Sequence, residues 1–162
     1  MSNKAVIYFS RNGSTKGAAA LLARRLEAEL IELTPERKTG FLRSGYMASR
    51  KKRVGLEGDP WAQCRDKELL VLGSPVWAGN GTPAVNAFLD KADLKDKRVY
   101  LYLFQADPKL GSAPGVLEYL KGRVENAGGT VAGTLALHGA SPGKTAPEEQ
   151  YRSQLESWEI EG

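Results

Sequence analysis

The sequence predicts an α/β domain built on a doubly wound, five-stranded parallel sheet with helices on both faces. Two observations carry that prediction. Short apolar or β-branched runs of strand length alternate along the chain with longer segments of helical spacing. Where a run gives way to the next helical segment, the chain turns on Gly, Ser, Asn or Pro, as strand-to-helix connections require. At 162 residues the chain is long enough for one such domain with a substantial core, and we expect the whole span 1–162 to form it.

The elements follow in order. "KAVIYFS" (4–10) reads as a buried first strand. "STKGAAALLARRLEAEL" (14–30) follows as a helix, because Ala18, Leu22 and Leu26 recur at every fourth position on one face. "LIELT" (30–34) is a short second strand, stopped by Pro35. From Pro35 to Pro60 the pattern is least regular, with Phe41, Leu42, Tyr46 and Met47 suggesting one short helix. "ELLVLGS" (68–74) is the third strand, and "TPAVNAFLDKA" (82–92) is a helix with Pro83 in its first turn, where proline is tolerated. "RVYLYLFQ" (98–105) is the fourth strand, "GVLEYLKGRVENA" (115–127) a helix and "GTVAGTLALHG" (129–139) the fifth strand. "APEEQYRSQLESWEI" (146–160) is a last helix, docked by Tyr151, Leu155 and Trp158.

Composition narrows the class. Hydrophobic residues at 41% and charged residues at 26% are ordinary for a globular protein in water, and no run approaches the roughly 18 apolar residues of a membrane span. The apolar run in "MSNKAVIYFS" is too short for a secretory leader and enters a strand directly. With Cys64 the sole cysteine, no intrachain disulfide forms and a cytoplasmic setting is expected. Cys64 has no His nearby in sequence and reads as a small inert residue rather than a redox thiol. The sole histidine, His138, lacks ligand-spaced partners, so no metal centre and no hydrolytic centre is indicated.

Net charge is +4, and the excess is local. Between Arg37 and Arg53 there are seven Lys or Arg and no acid, while Glu148 to Glu161 holds five glutamates against one arginine. Such a basic stretch suits an acidic partner, or is only a solvated segment. Its interleaved aromatics are limited to Phe41 and Tyr46, which argues against nucleic acid.

The chemistry lies in two loops. "SRNGST" (10–15) stands where the first strand meets the first helix. Gly13 permits a tight turn, the helix's first N–H groups lack internal partners, and its dipole favours an anion. Ser10, Asn12, Ser14 and Thr15 add side-chain donors. The loop has neither the GK[ST] ending of a nucleotide P-loop nor G-x-G-x-x-G. A bare helix cap would use the same residue types, but the hydroxyls exceed what a cap needs, which favours phosphate. After the third strand comes "GSPVWAGNGTPA" (73–84), whose prolines and glycines shape a loop around Trp77. Trp77 either tucks onto its own helix or offers its face to a flat apolar ring. Ligands of doubly wound sheets lie outside the carboxyl ends of the strands, where the strand order reverses. A phosphate joined to a flat heteroaromatic ring is a mononucleotide, and FMN meets both loops.

On "YFSRNGST" and "GSPVWAGNGTPAVNAFL" the chain resembles the flavodoxin-like family of FMN-binding proteins, nearly end to end through "GTLAL" and the terminal helix. The resemblance implies the strand order 2-1-3-4-5. It implies FMN phosphate contacts at Ser10, Asn12, Gly13, Ser14 and Thr15, and ring contacts at Pro75, Val76, Trp77, Ala78 and Gly79. It also implies contacts to the ring's pyrimidine edge from the loop after the fourth strand, carried here by Ala106, Asp107, Gly111 and Ser112. That loop, "QADPKLGSAPG" (105–115), departs from the family's Gly- and Ser-rich pattern, since Pro108 and Pro114 have no N–H to give. The sequence pI near 9.2 departs from the family's acidic electron carriers. Trp61 and Trp158 sit at no strand end and read as packing residues. The expected function is electron transfer between redox partners, probed against two others: an NAD(P)H-dependent FMN quinone or flavin reductase, and an interaction module that has lost its flavin. The intact loops argue against the last.

Overall fold

The computed structural model describes residues 3–11, 13–36, 55–77, 81–141 and 144–161. The basic segment 37–53 and the short helix expected at 41–47 lie outside these, as do Asn12, Ala78 and Gly79. The strands are β1 (Lys4–Tyr8), β2 (Glu29–Glu32), β3 (Leu69–Pro75), β4 (Arg98–Gln105) and β5 (Thr130–His138). The helices are α1 (Ser14–Leu26), α2 (Pro60–Gln63), α3 (Pro83–Lys91), α4 (Ala113–Asn126) and α5 (Arg152–Ser157). All strands pair in parallel, in the expected order β2-β1-β3-β4-β5.

The central strands β1, β3 and β4 are buried on both sides, and strand alternation divides the core in two. Along β4, Val99, Leu101 and Leu103 join Ile7, Leu70 and Leu72 beneath Val85 and Phe88 of α3 and Leu120 of α4. The intervening Tyr100, Tyr102 and Phe104 face the other way, with Val6, Tyr8 and Val71, beneath Ala18 and Leu22 of α1 and Leu155 of α5. "VYLYLF" therefore writes an aliphatic face and an aromatic face into one strand.

Several boundaries differ from expectation, each for a local reason. Helix α1 ends at Leu26 because Glu27 turns left-handed (φ 54°), and the Ala28 N–H reaches back to the Ala23 carbonyl at 2.9 Å. Helix α4 starts two residues early, taking Pro114 into its first turn. Helix α2 was not foreseen; the Asp59 carboxylate caps it by accepting the Ala62 N–H at 3.0 Å. The expected last helix is divided into a 3₁₀ turn at Glu148–Gln150 and the short α5. Arg25 of α1 donates to the carbonyls of Leu155 (2.7 Å) and Trp158 (2.6 Å), tying the end of α5 to the first helix.

The bland readings of isolated residues hold. The Trp61 indole stacks on Phe88 and donates to its carbonyl at 2.8 Å. Trp158 packs edge-on against Tyr100 and Tyr102. Cys64 is buried, and burial raises its thiol pKa, away from the reactive thiolate. His138 is clipped by the Gln150 side-chain amide, which also donates to the His138 and Gly139 carbonyls. Among the described residues no helix is long and apolar enough to cross a membrane.

Candidate functional site

Because β1, β3 and β4 are consecutive in the sheet, the loops leaving their carboxyl ends form three neighbouring arms. The order reverses between β1 and β3, the place where sheets of this kind open a crevice.

The first arm carries the phosphate-loop residues. Gly13 stands before α1 with φ 101°, a left-handed conformation open to glycine, and its N–H donates to the Ser10 hydroxyl at 3.0 Å. No side chain caps α1, and its first turn holds no acid. Among the described residues no acceptor meets the N–H groups of Ser14, Thr15 and Lys16. By contrast, Thr82 caps α3 by accepting from the Val85 N–H, and the buried Gln105 side chain accepts the Ala113 N–H of α4 at 3.0 Å. Among the described residues, the leading donors of α1 are left without an acceptor, as an anion site needs.

Two distant segments, Thr145–Ala146 and Tyr102 of β4, hold this turn in place. The Ser14 hydroxyl accepts the Ala146 N–H at 2.9 Å. Thr145 lies against Gly13, where its hydroxyl would stand 3.1 Å from an added Cβ. The Thr15 carbonyl accepts from the fully buried Tyr102 hydroxyl at 2.9 Å. Tyr102 reaches α1 by crossing Gly73 of β3, where any Cβ would run into its ring.

The second arm leaves β3 at Pro75 with Val76 still bonded to the Phe104 carbonyl at 2.8 Å. The buried hydroxyls of Ser74 and Thr82, at the two ends of this loop, lie 3.4 Å apart. Between them Trp77 is half-buried. The Phe9 ring meets it edge-on at 5.2 Å, and the Arg11 guanidinium lies over the indole at 5.5 Å. Trp77 thus belongs to the crevice between the β1 and β3 arms, with Pro75 and Val76 beside it.

The third arm folds around one carboxylate. Asp107 accepts the N–H groups of Lys109 (2.9 Å) and Gly111 (3.3 Å). Ala106, Asp107 and Gly111 are exposed and Ser112 is half-buried at the start of α4. The Gly111 amide, expected to face a ring edge, therefore faces Asp107. Pro114 takes nothing from the arm, since it stands in a helical first turn where its N–H is not needed.

Sequence reasoning passed over Arg11, Tyr102, Gln105 and the Thr145–Ala146 pair. Arg11 was visible as the one charge inside "SRNGST". The other four act through contacts that no local spacing announces.

The chain matches no protein-family model and no curated protein. Solved structures do resemble it. A protein from Bacteroides uniformis assigned as a flavoprotein aligns with a TM-score of 0.70 and 22% identity, over 97% of each chain. A flavoprotein from Lactobacillus acidophilus, solved in complex with FMN, aligns at 0.66 and 17% identity, over 84% of this chain and 93% of its own. The flavodoxin, WrbA-like protein from Agrobacterium tumefaciens aligns at 0.66 and 21% identity, over 96% of this chain and 89% of its own. With the strand order and these alignments together, the chain has the flavodoxin-like fold.

Proposed function

We propose that this chain binds one FMN in the crevice between the β1 and β3 arms and transfers electrons between redox partners. The observation that carries the reading is the uncapped, acid-free first turn of α1, entered by a loop whose Arg11 lies over Trp77. The donor set suits a phosphate monoester: three outward N–H groups and the hydroxyls of Ser10, Ser14 and Thr15. Trp77 offers an aromatic surface for a flat ring, with Pro75 and Val76 shaping its edge. Bound FMN would supply one- and two-electron redox chemistry. The protein's residues hold the phosphate, shield the ring and set the charge around it. The setting we infer from the single cysteine is the cytoplasm.

The purified protein should be yellow, take up FMN at one per chain, and bind riboflavin far more weakly. FAD bound as tightly as FMN, or no flavin bound at all, would overturn the reading. Anaerobic addition of NADPH separates the two redox roles. Bound FMN that persists in its oxidised colour supports a carrier, and rapid bleaching would place the chain among NAD(P)H-dependent quinone or flavin reductases.

For partners, we infer a redox protein with an acidic surface, drawn to the basic segment 37–53. Glu36 and Gly55, which bracket that segment, are joined by a backbone hydrogen bond of 2.9 Å. Replacing Lys51, Lys52 and Arg53 with Ser should slow electron transfer at low salt and flatten its salt dependence. Unchanged low-salt rates would reduce the segment to a solvated excursion.

A further inference from the structure

Arg11 is rooted in the phosphate arm, yet its side chain turns to the ring arm. The guanidinium carbon lies 5.5 Å from the Trp77 ring centroid, within the range of a cation–π contact. Phe9 meets the same indole edge-on, so among the described residues Trp77 has a neutral ring at its edge and a cation over its face. The charges nearby reinforce this asymmetry. The first turn of α1 holds no acid and carries Lys16. On the third arm, Asp107 directs its carboxylate onto the Lys109 and Gly111 amides.

An indole face by itself disfavours a negatively charged ring, because its π cloud is electron-rich. A guanidinium on that indole works in the opposite direction. Oxidised FMN takes up two electrons and one proton to give an anionic reduced ring, so positive charge beside the ring favours the reduced form. The same charge barely distinguishes flavins that differ only in redox-neutral ways at the ring.

We propose that Arg11, mounted on Trp77, sets the site's preference for reduced over oxidised FMN. The inference rests on the FMN reading and assigns it a tuning residue whose charge acts on the ring through its place on the indole. Arg11 is exposed, so its effect is screened by salt.

The test is the ratio of oxidised to reduced FMN dissociation constants. It is read from spectroelectrochemical titration of bound against free FMN with dithionite as reductant, at pH 8 and low ionic strength. In Arg11→Met, affinity for reduced FMN should fall about 3- to 10-fold more than affinity for oxidised FMN. Arg11→Lys, which keeps the charge, should hold most of the wild-type ratio. In a Trp77→Leu background the Arg11→Met effect should shrink, since the cation has lost its platform. An unchanged ratio in Arg11→Met, or an equal drop in Arg11→Lys, would overturn the proposal. Full additivity with Trp77→Leu would overturn the role of the indole. A wild-type protein that binds no FMN would sink the cofactor reading instead, so the two failures are distinguishable.

Discussion

Single residues at the crevice have separable jobs. On the FMN reading Trp77 supplies ring surface, and its loss would remove stacking. Trp77→Ala should cost about 1–3 kcal/mol of FMN affinity, by analogy with aromatic stacking on nucleic-acid bases. An indole in contact quenches flavin emission, so FMN bound to the variant should be brighter than FMN bound to the wild type. Wild-type emission equal to that of free FMN would take Trp77 off the ring. Gly13 supplies a backbone shape. With φ 101° and Thr145 close against it, Gly13→Ala meets both strain and a neighbour. We expect a loss of about 1–2 kcal/mol in unfolding free energy, together with weaker FMN binding.

At the scale of elements, the β1 arm depends on a relation between two other strands, β3 and β4. Tyr102 of β4 reaches Thr15 of α1 only because Gly73 of β3 has no side chain. Gly73→Ala should lower stability by about 1–3 kcal/mol through overpacking, while Tyr102→Phe should lower it by about 1 kcal/mol through the lost hydrogen bond. The pair should be strongly non-additive: the double variant Gly73→Ala, Tyr102→Leu should cost less than Gly73→Ala and Tyr102→Leu made separately add up to, because the clash has gone. Urea unfolding of the four proteins measures this, and simple additivity would break the link between the glycine and the tyrosine.

The same scale shows how far the sequence could be read. β1, β3 and β4 were legible because their apolar runs are continuous, as strands buried on both faces must be. Trp77 stood out in the sequence as a tryptophan two residues past Pro75 at a strand end, and the structure sets it against Phe9 and Arg11. The last helix was misjudged as one piece because Tyr151, Leu155 and Trp158 keep helical spacing across a 3₁₀ turn that ends at Gln150. The turn of "ADPKLG" onto its own aspartate, and the Gln105 cap on α4, depend on where β4 delivers the chain. Neither has a signature in local spacing.

The whole molecule carries an alkaline weakness in its aromatic half-core. Burial, then Glu32, pushes the Tyr8 phenol from its ordinary 10.0 up to about 12. Complete burial raises Tyr102 well beyond the ordinary range, and burial raises Tyr151 as well. Above pH 10 the unfolded chain releases phenolic protons that the folded chain retains. The folded state then binds more protons, and stability falls as pH rises. Lys67, raised chiefly by its hydrogen bond to Glu29, loses its contribution in the same direction as pH climbs through its folded pKa. The urea midpoint should therefore drop between pH 10 and 12, and Tyr8→Phe should make that drop shallower. A flat profile across this range would contradict the account.

The contact between Ser14 and Ala146 spans 132 positions of sequence. On a ribosome adding about 5–20 residues per second, the turn at Ser14 emerges roughly 7–26 s before its latch exists. Throughout that interval the strand and helix that begin the chain lack the brace from the segment after β5. Arg25 likewise waits for the carbonyls of Leu155 and Trp158. On the FMN reading, a phosphate bound at this turn would meet a loop without that brace until the segment after β5 is made. The turn at Ser14 thus gains this brace only from residues made 132 positions later.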